Sequence, residues 1–383
     1  MTERKNVPLV SLVEGYEAHA PEINAALQRV LKSGWYILGQ EVSAFEGEFA
    51  RWCDTSHCIG VANGTDAIVI ALRALGVGDG DAVFTVSHTA VATVAAIDIT
   101  GASPVLVDID ERSFTLDPAK LEEAIIGYAG GARPKAVIAV HLYGQACDLE
   151  AIQAICRRHG LYLIEDCAQA HGTRYKDRPV GGFGNMATFS FYPTKNLGAF
   201  GDGGAVVTSD DRLAAAARAL RQYGWHERYL SDVPGMNSRL DELHAAVLRV
   251  RLAHLDAEIA VRRRIAAAYD AALAGQVTTP WVRPLTSHSY HLYVIRVSDR
   301  DRFAAALKRQ GIDTGIHYPQ AVHQQKAYAG RVATAGDLAI TNRIYCDIVS
   351  LPMFPFLSDA DVARVIATVS ASVVGMREEA HDT

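Results

Sequence analysis

Six cysteines in 383 residues, none in a CxxC pair, leave no zinc ribbon and no disulfide framework to build on. Cys53, Cys58, Cys147, Cys156, Cys167 and Cys346 therefore read as reduced core or loop thiols. A basic excess is also missing: 37 Lys+Arg stand against 43 Asp+Glu, a net charge of −6. Such a balance offers no general field for nucleic acid or an anionic membrane, so any phosphate must be held locally. The longest uncharged apolar stretch, Ala82 to Ile97, carries His88 and stops at Asp98, too short and too polar for a membrane span. No apolar segment follows Met1 to Asn6, so no signal peptide is expected and a soluble, cytoplasmic protein is. Internal repeats and low-complexity tracts are absent as well. What is present is ordinary globular usage, 49% hydrophobic and 21% charged residues, in a chain long enough for roughly two to three domains.

Strand-like and helix-like runs alternate through the first two thirds. Strands are expected at Cys58–Val61, Ala82–Val86, Pro104–Val107, Lys135–Val140 and Leu161–Glu165. Helices are expected between them at Gly64–Leu75, Ala90–Ile99, Asp117–Ile126 and Asp148–His159. This order predicts an α/β fold with a mostly parallel sheet and helices on its faces. Ala187–Phe191 and Gly204–Thr208 then follow with only a Gly-rich loop between them, which requires a different local topology. Ser238–Leu273, free of Pro and Gly, reads as one long helix joining a large domain (1–250) to a smaller α+β domain (251–383). In the latter, elements are expected at Tyr290–Val297, Arg302–Gln310, Thr314–His317 and Ala360–Val374. Arg249, Arg251, Arg262, Arg263 and Arg264 on the long helix read as a solvated face.

Chemistry concentrates in a few stretches. In Phe189-Ser-Phe-Tyr-Pro-Thr-Lys195, a lysine sits between a buried strand and a Gly-rich turn, where backbone can approach a bulky ligand. Desolvation there would favour the nucleophilic amine that Schiff-base chemistry needs, although on pattern alone a surface-loop lysine is the plainer reading. Asp166 ends a strand, where ligands of open α/β sheets gather, but it could equally cap a turn. Asn63-Gly64-Thr65-Asp66 opens a helix, offering N–H groups to an anion or a simple N-cap. His88 could lie against an aromatic ligand or serve as a core histidine. Dinucleotide and Walker-type loops are excluded: Gly182-Phe-Gly184 precedes a strand rather than a helix, and no GxxxxGK(S/T) occurs. His317 and His323 have no nearby carboxylates, so no metal site is expected.

Taken in order, Asn63-Gly-Thr-Asp-Ala67, Ser87-His-Thr89, Glu165-Asp-Cys-Ala-Gln-Ala-His-Gly172, Phe189 to Val206, Asn237-Ser-Arg-Leu-Asp-Glu242 and Gly315-Ile-His-Tyr-Pro319 span nearly the whole chain. The sequence so composed resembles the fold-type I pyridoxal phosphate (PLP) enzymes, and within them the DegT/DnrJ/StrS-type nucleotide-sugar aminotransferases. The resemblance implies that Lys195 holds PLP covalently and moves the proton between the amine donor and the cofactor. It implies that Asp166 pairs with the pyridine nitrogen, Gln169 contacts the ring hydroxyl, and His88 stacks on the ring. Gly64, Thr65 and Ser190 would hold the phosphate, and Asn237 would reach the phosphate of a neighbouring subunit, giving a homodimer with shared active sites. Tyr36, Tyr192, His317, Tyr318 and His323 would line the sugar and pyrophosphate pocket.

Substrate class follows from two details. A histidine at position 88 is similar to the subgroup acting on 3-keto sugars, and Tyr192 replaces a histidine common in other relatives. The expected reaction converts a nucleotide-linked 3-keto-6-deoxyhexose, dTDP-linked, to its 3-amino sugar with L-glutamate as donor. A 4-keto sugar aminotransferase and a non-catalytic PLP-binding regulator are the alternatives. A sugar 3-dehydrase is disfavoured because that subgroup lacks the lysine.

Overall fold

The structure, a computed structural model, describes residues 6–381; residues 1–5, read above for a leader segment, lie outside it. Eight strands form the main sheet: β1 (His57–Val61), β2 (Asp81–Val86), β3 (Ser103–Val107), β4 (Arg133–Val140), β5 (Tyr162–Asp166), β6 (Met186–Ser190), β7 (Gly204–Thr208) and β8 (Ala333–Thr334). Their order across the sheet is β1-β7-β6-β5-β4-β2-β3-β8. Neighbours are parallel from β6 through β8, and β7 alone runs antiparallel to both of its partners. Alternation therefore breaks where the sequence says it must, because antiparallel neighbours need only a loop, whereas parallel ones need a crossover helix.

Side-chain period two separates the two faces. Ile59, Val61 and Val206 enter one hydrophobic cluster together with the helix Gly64–Ala74, which is apolar nearly all round and accordingly buried. Cys58, Ala205 and Val207 enter another, with Phe45 and Phe49 of the helix Gln40–Trp52. Five of the six cysteines are buried and all are free, with only Cys346 exposed.

The long helix runs Glu242–Leu273, starting four residues later than expected. Positions 238–241 are drawn out of helix by partners elsewhere: Ser238 N–H donates to the Arg221 carbonyl, and Asp241 forms an isolated bridge with Ile37. Its N-terminal part contributes Ala245, Leu248, Leu255 and Ile259 to the cluster that holds Phe45 and Phe49. Its second half contributes Ile265, Tyr269 and Leu273 to a third cluster around the antiparallel pair Tyr293–Arg296 and Ile348–Leu351. Position 250 thus lies inside one continuous helix. The element expected at Thr314–His317 is reduced to a single bridge between Gly315 and Ser350.

The solvated-arginine reading of this helix is corrected at four of its five positions. Arg249 pairs with Glu41 (2.6 Å) and Glu48 (2.7 Å). Arg251 donates to the Gly198 carbonyl, Arg263 to the carbonyls of Gly172 and His288, and buried Arg262 to those of Tyr290 and Met353. Only Arg264 fits the expectation. Guanidinium groups are being used here as multi-donor pins for loop carbonyls, a use their rigid fork favours over lysine.

Candidate active site

The carboxyl ends of β2, β4 and β5 converge with the β6–β7 loop, and the expected residues stand there. Asp166 is the last residue of β5 and is buried. Thr93 Oγ1 donates to its Oδ2 (3.0 Å) and Ala168 N–H to its Oδ1 (3.1 Å). Burial raises its pKa, opposed by these two bonds and by the charge of Lys195. Lys195 lies in the loop between β6 and β7; burial lowers its pKa to about 8, against the pull of Asp166. Lys195, half-buried, and Asp166 each stabilise the charged form of the other, so Lys195 is not a freely solvated surface-loop lysine.

Tyr143, in the turn after β4, ties three expected residues together. Its N–H donates to Gln169 Oε1 (2.8 Å), and its hydroxyl pairs with His88 Nε2 (2.9 Å) and donates to the His317 carbonyl. Gln169 Nε2 in turn donates to the Tyr318 hydroxyl (2.9 Å). His88 sits edge-on to Phe114, Tyr143 and Tyr345, and burial brings its pKa down to about 3, so the imidazole is neutral. Beside it, Ser87 Oγ bonds His323 Nδ1 (2.7 Å), while His317 Nδ1 pairs with Ser350 Oγ (2.8 Å). The two histidines thus have separate serine partners. Tyr143 and Thr93 went unnoticed in the sequence, and Ser87 was read only as part of the run Ser87-His-Thr89, with no role of its own. Position after a strand's carboxyl end was the one available signal for Tyr143 and Ser87.

At the start of the helix Gly64–Ala74, Asn63 Oδ1 caps the Asp66 N–H (2.8 Å), so the N-cap reading holds for Asn63. The N–H groups of Gly64 and Thr65 have, by helix geometry, no carbonyl within the helix to reach. Gly64 lies so close to β6 that a Cβ there would stand 2.7 Å from Ser190 Cβ. Two first-turn N–H groups, the Thr65 hydroxyl and the Ser190 hydroxyl therefore share one small region with a positive dipole end.

Three further expected residues are exposed. Tyr36 (47% exposed), Tyr192 (52% exposed) and Asn237 lie on the surface of the chain. The discarded glycine motif has its own explanation. The N–H groups of Gly181, Phe183 and Gly184 all donate to the buried carboxylate of Glu165, at 2.7–2.9 Å, and His141 Nε2 bonds its Oε2 (3.1 Å). Burial works against this charge, but His141 and the N–H groups outweigh it and its pKa is lowered. A Cβ at Gly184 would stand 2.7 Å from the Leu163 carbonyl.

An acid at a strand end, a lysine of depressed basicity opposite it, and an anion cradle at a helix start are the donor set that pyridoxal phosphate requires: an acceptor for N1–H, an amine for C4′ and N–H groups for phosphate. Fold and site together define a PLP-dependent α/β transferase. The chain belongs to the DegT/DnrJ/EryC1/StrS aminotransferase family, whose model matches residues 17–370. It is 46% identical over 369 residues, 96% of each chain, to the dTDP-3-amino-3,4,6-trideoxy-alpha-D-glucose transaminase of Streptomyces venezuelae. Among solved structures, that of S. venezuelae DesV in complex with a ketimine intermediate superposes with a TM-score of 0.93 at 45% identity, covering 97% of this chain and 99% of that one. NtdA of Bacillus subtilis, with bound PMP, gives 0.86 at 28% identity, covering 97% and 87%.

Proposed function

We propose that this aminotransferase converts a dTDP-linked 3-keto-6-deoxyhexose and L-glutamate to the 3-amino sugar and 2-oxoglutarate. The observation that carries the substrate class is the full-length 46% identity to a transaminase named for a dTDP-3-amino sugar. A neutral, fully buried His88 in a box of aromatic edges is consistent with it.

Bound PLP supplies an electron sink for the donor's Cα–H bond; the chain supplies the rest. Lys195 Nζ would hold the cofactor through its aldehyde carbon until the donor amine displaces it, and the freed amine, with a pKa of about 8, would carry the proton between donor Cα and cofactor C4′. The Asp166 carboxylate would hold the proton on the pyridine nitrogen, with Thr93 and Ala168 fixing its orientation. Gly64, Thr65 and Ser190 would hold the phosphate, Gln169 the ring hydroxyl, and His88 the ring face. Tyr36, Tyr192, His317, Tyr318 and His323 would bind the nucleotide sugar.

We further propose a homodimer in which exposed Asn237 completes the partner subunit's phosphate site. The division into a large domain (1–250) and a smaller one (251–383) is likewise a proposal, supported by the separate hydrophobic clusters met along the long helix. Among the described residues no helix is long and apolar enough to cross a membrane, and a cytoplasmic location is proposed. The test is a panel of 3-keto and 4-keto sugars linked to dTDP, UDP and GDP, offered to the PMP form while the PLP absorbance returns. Restoration by dTDP-3-keto sugars is expected. Restoration by 4-keto sugars alone would overturn the substrate assignment.

A further inference from the structure

Two buried histidines, His171 and His291, have no part in the scheme above. His171 follows β5 in Ala170-His171-Gly172 and is fully buried, packed against the rings of Phe189 (5.3 Å) and Phe191 (5.9 Å). Neither of its ring nitrogens has a hydrogen-bond partner, and His291 Nδ1, also buried, has none. Orphaned imidazole nitrogens at this depth are costly, so they mark a place where a donor is expected to come and go. The three segments concerned are laced together. Thr173 Oγ1 donates to Ser289 Oγ (2.9 Å), and Asn196 Nδ2 donates to the Ser289 carbonyl (3.1 Å). His171, His291 and Lys195 each lie within two residues of that knot.

We propose that His171 and His291 are positioning residues for Lys195, neutral imidazoles whose nitrogens accept hydrogen bonds from its amine and take the place of water when the amine becomes an ammonium. The inference rests on Lys195 as the cofactor lysine. In the reaction Lys195 holds the proton removed from donor Cα, and a positive charge in a dry site needs acceptors. Ordinary histidines would compete for that proton. These cannot, because burial holds His171 near a pKa of about 3 and depresses His291 well below the usual range, with Lys195 itself adding to both effects. The other titratable or charged groups in this electrostatic neighbourhood are Asp166, His317 and, beyond His291, Arg262. Among these, Asp166 alone carries negative charge.

The signature is two effects of opposite sign. His171→Phe keeps the packing on Phe189 and Phe191 but removes the one acceptor nitrogen of the neutral ring, so the ammonium form of Lys195 is destabilised. In the apoprotein, the pH midpoint for capture of PLP, followed by visible absorbance, is expected to fall by about one unit. In the holoenzyme, kcat is expected to fall roughly tenfold or more with KM for the amine donor unchanged. His171→Gln, which restores an acceptor, should recover most of both. A purely structural role would lower kcat without moving the midpoint downward, and an unchanged or raised midpoint in His171→Phe overturns the proposal. If His171→Phe does not fold, His291→Phe and His291→Gln are read by the same two criteria. Lys195→Ala is the control for the underlying reading: a covalent PLP band that persists in it would show that another amine is modified, which is an error about Lys195 and not about the imidazoles.

Discussion

Asp166 holds its charge in a place that resists it, and this sets the expectation for its removal. Burial pushes its pKa up while the Thr93 hydroxyl, the Ala168 N–H and Lys195 pull it back, so a cationic partner at the carboxylate would offset a cost already incurred by the fold. Asp166→Asn keeps the shape and one acceptor oxygen for the Ala168 N–H, but its amide NH2 can neither accept from Thr93 nor hold a pyridinium. It is expected to lower kcat roughly 10³-fold or more while circular dichroism stays that of the wild type. A rate within tenfold of wild type with PLP bound would refute the role. Lys195 gives a second expectation, from sign alone. Only the neutral amine attacks an aldehyde, so PLP capture by the apoprotein should rise with pH, level off above about 8, and drop tenfold per unit well below it. Stopped-flow absorbance between pH 6 and 10 checks this; a profile still climbing at pH 10 would mean an ordinary surface lysine. On pattern alone both residues had plainer readings, a surface-loop lysine and a turn-capping acid, and it was the resemblance carried by the runs around them that singled them out. Tyr143, His171 and His291 were not singled out, because a single aromatic or histidine has no pattern of its own. Their meaning comes from segments 141–145, 169–173, 289–291 and 317–318 meeting in space.

Elements show the same division between local and distant causes. The start of the helix Gly64–Ala74 was readable because its cap, Asn63, is next to it in the chain. The helix Gln40–Trp52 begins at Gly39, which has no capping side chain, and its cap comes from about two hundred residues away. Glu242 accepts from the N–H groups of Gly39 (2.8 Å), Glu41 (2.9 Å) and Val42 (2.8 Å). Nothing short of the tertiary structure could have disclosed this. Glu242→Ala removes three charge-assisted bonds and strands buried donors. A loss of about 2–4 kcal/mol is expected, read as a lower urea midpoint with an unchanged slope. Because Tyr36 lies on the segment Glu242 restrains, KM for the nucleotide sugar should rise in the same variant with less effect on kcat. A urea midpoint equal to wild type would show that water replaces the cap without cost.

At the scale of the molecule, the proposed dimer makes a prediction that no single-chain effect imitates. Lys195→Ala and Asn237→Asp subunits, each inactive alone, are mixed. If Asn237 serves the partner's phosphate, one site of a mixed dimer collects both lesions and the other contains neither, so activity should return toward one intact site per dimer. Activity that stays at the level of the separate variants after subunit exchange, verified by mass spectrometry, would assign Asn237 to its own subunit. The sheet order was only partly legible: alternation announces parallel strands and the Gly-rich loop announces β7, but a two-residue strand such as β8 has too few residues to carry a pattern. That small strand matters most while the chain is being made. β3 is complete at Val107, whereas its outer neighbour, Ala333–Thr334, emerges more than two hundred residues later. At about 5–20 residues per second, the hydrogen-bonding edge of β3 stays bare on the ribosome for roughly 10–45 s. Throughout that interval the nascent sheet presents a ready template to any other extended chain, which makes this edge the place where a trigger-type holdase or a slowed ribosome would most improve the yield of soluble protein.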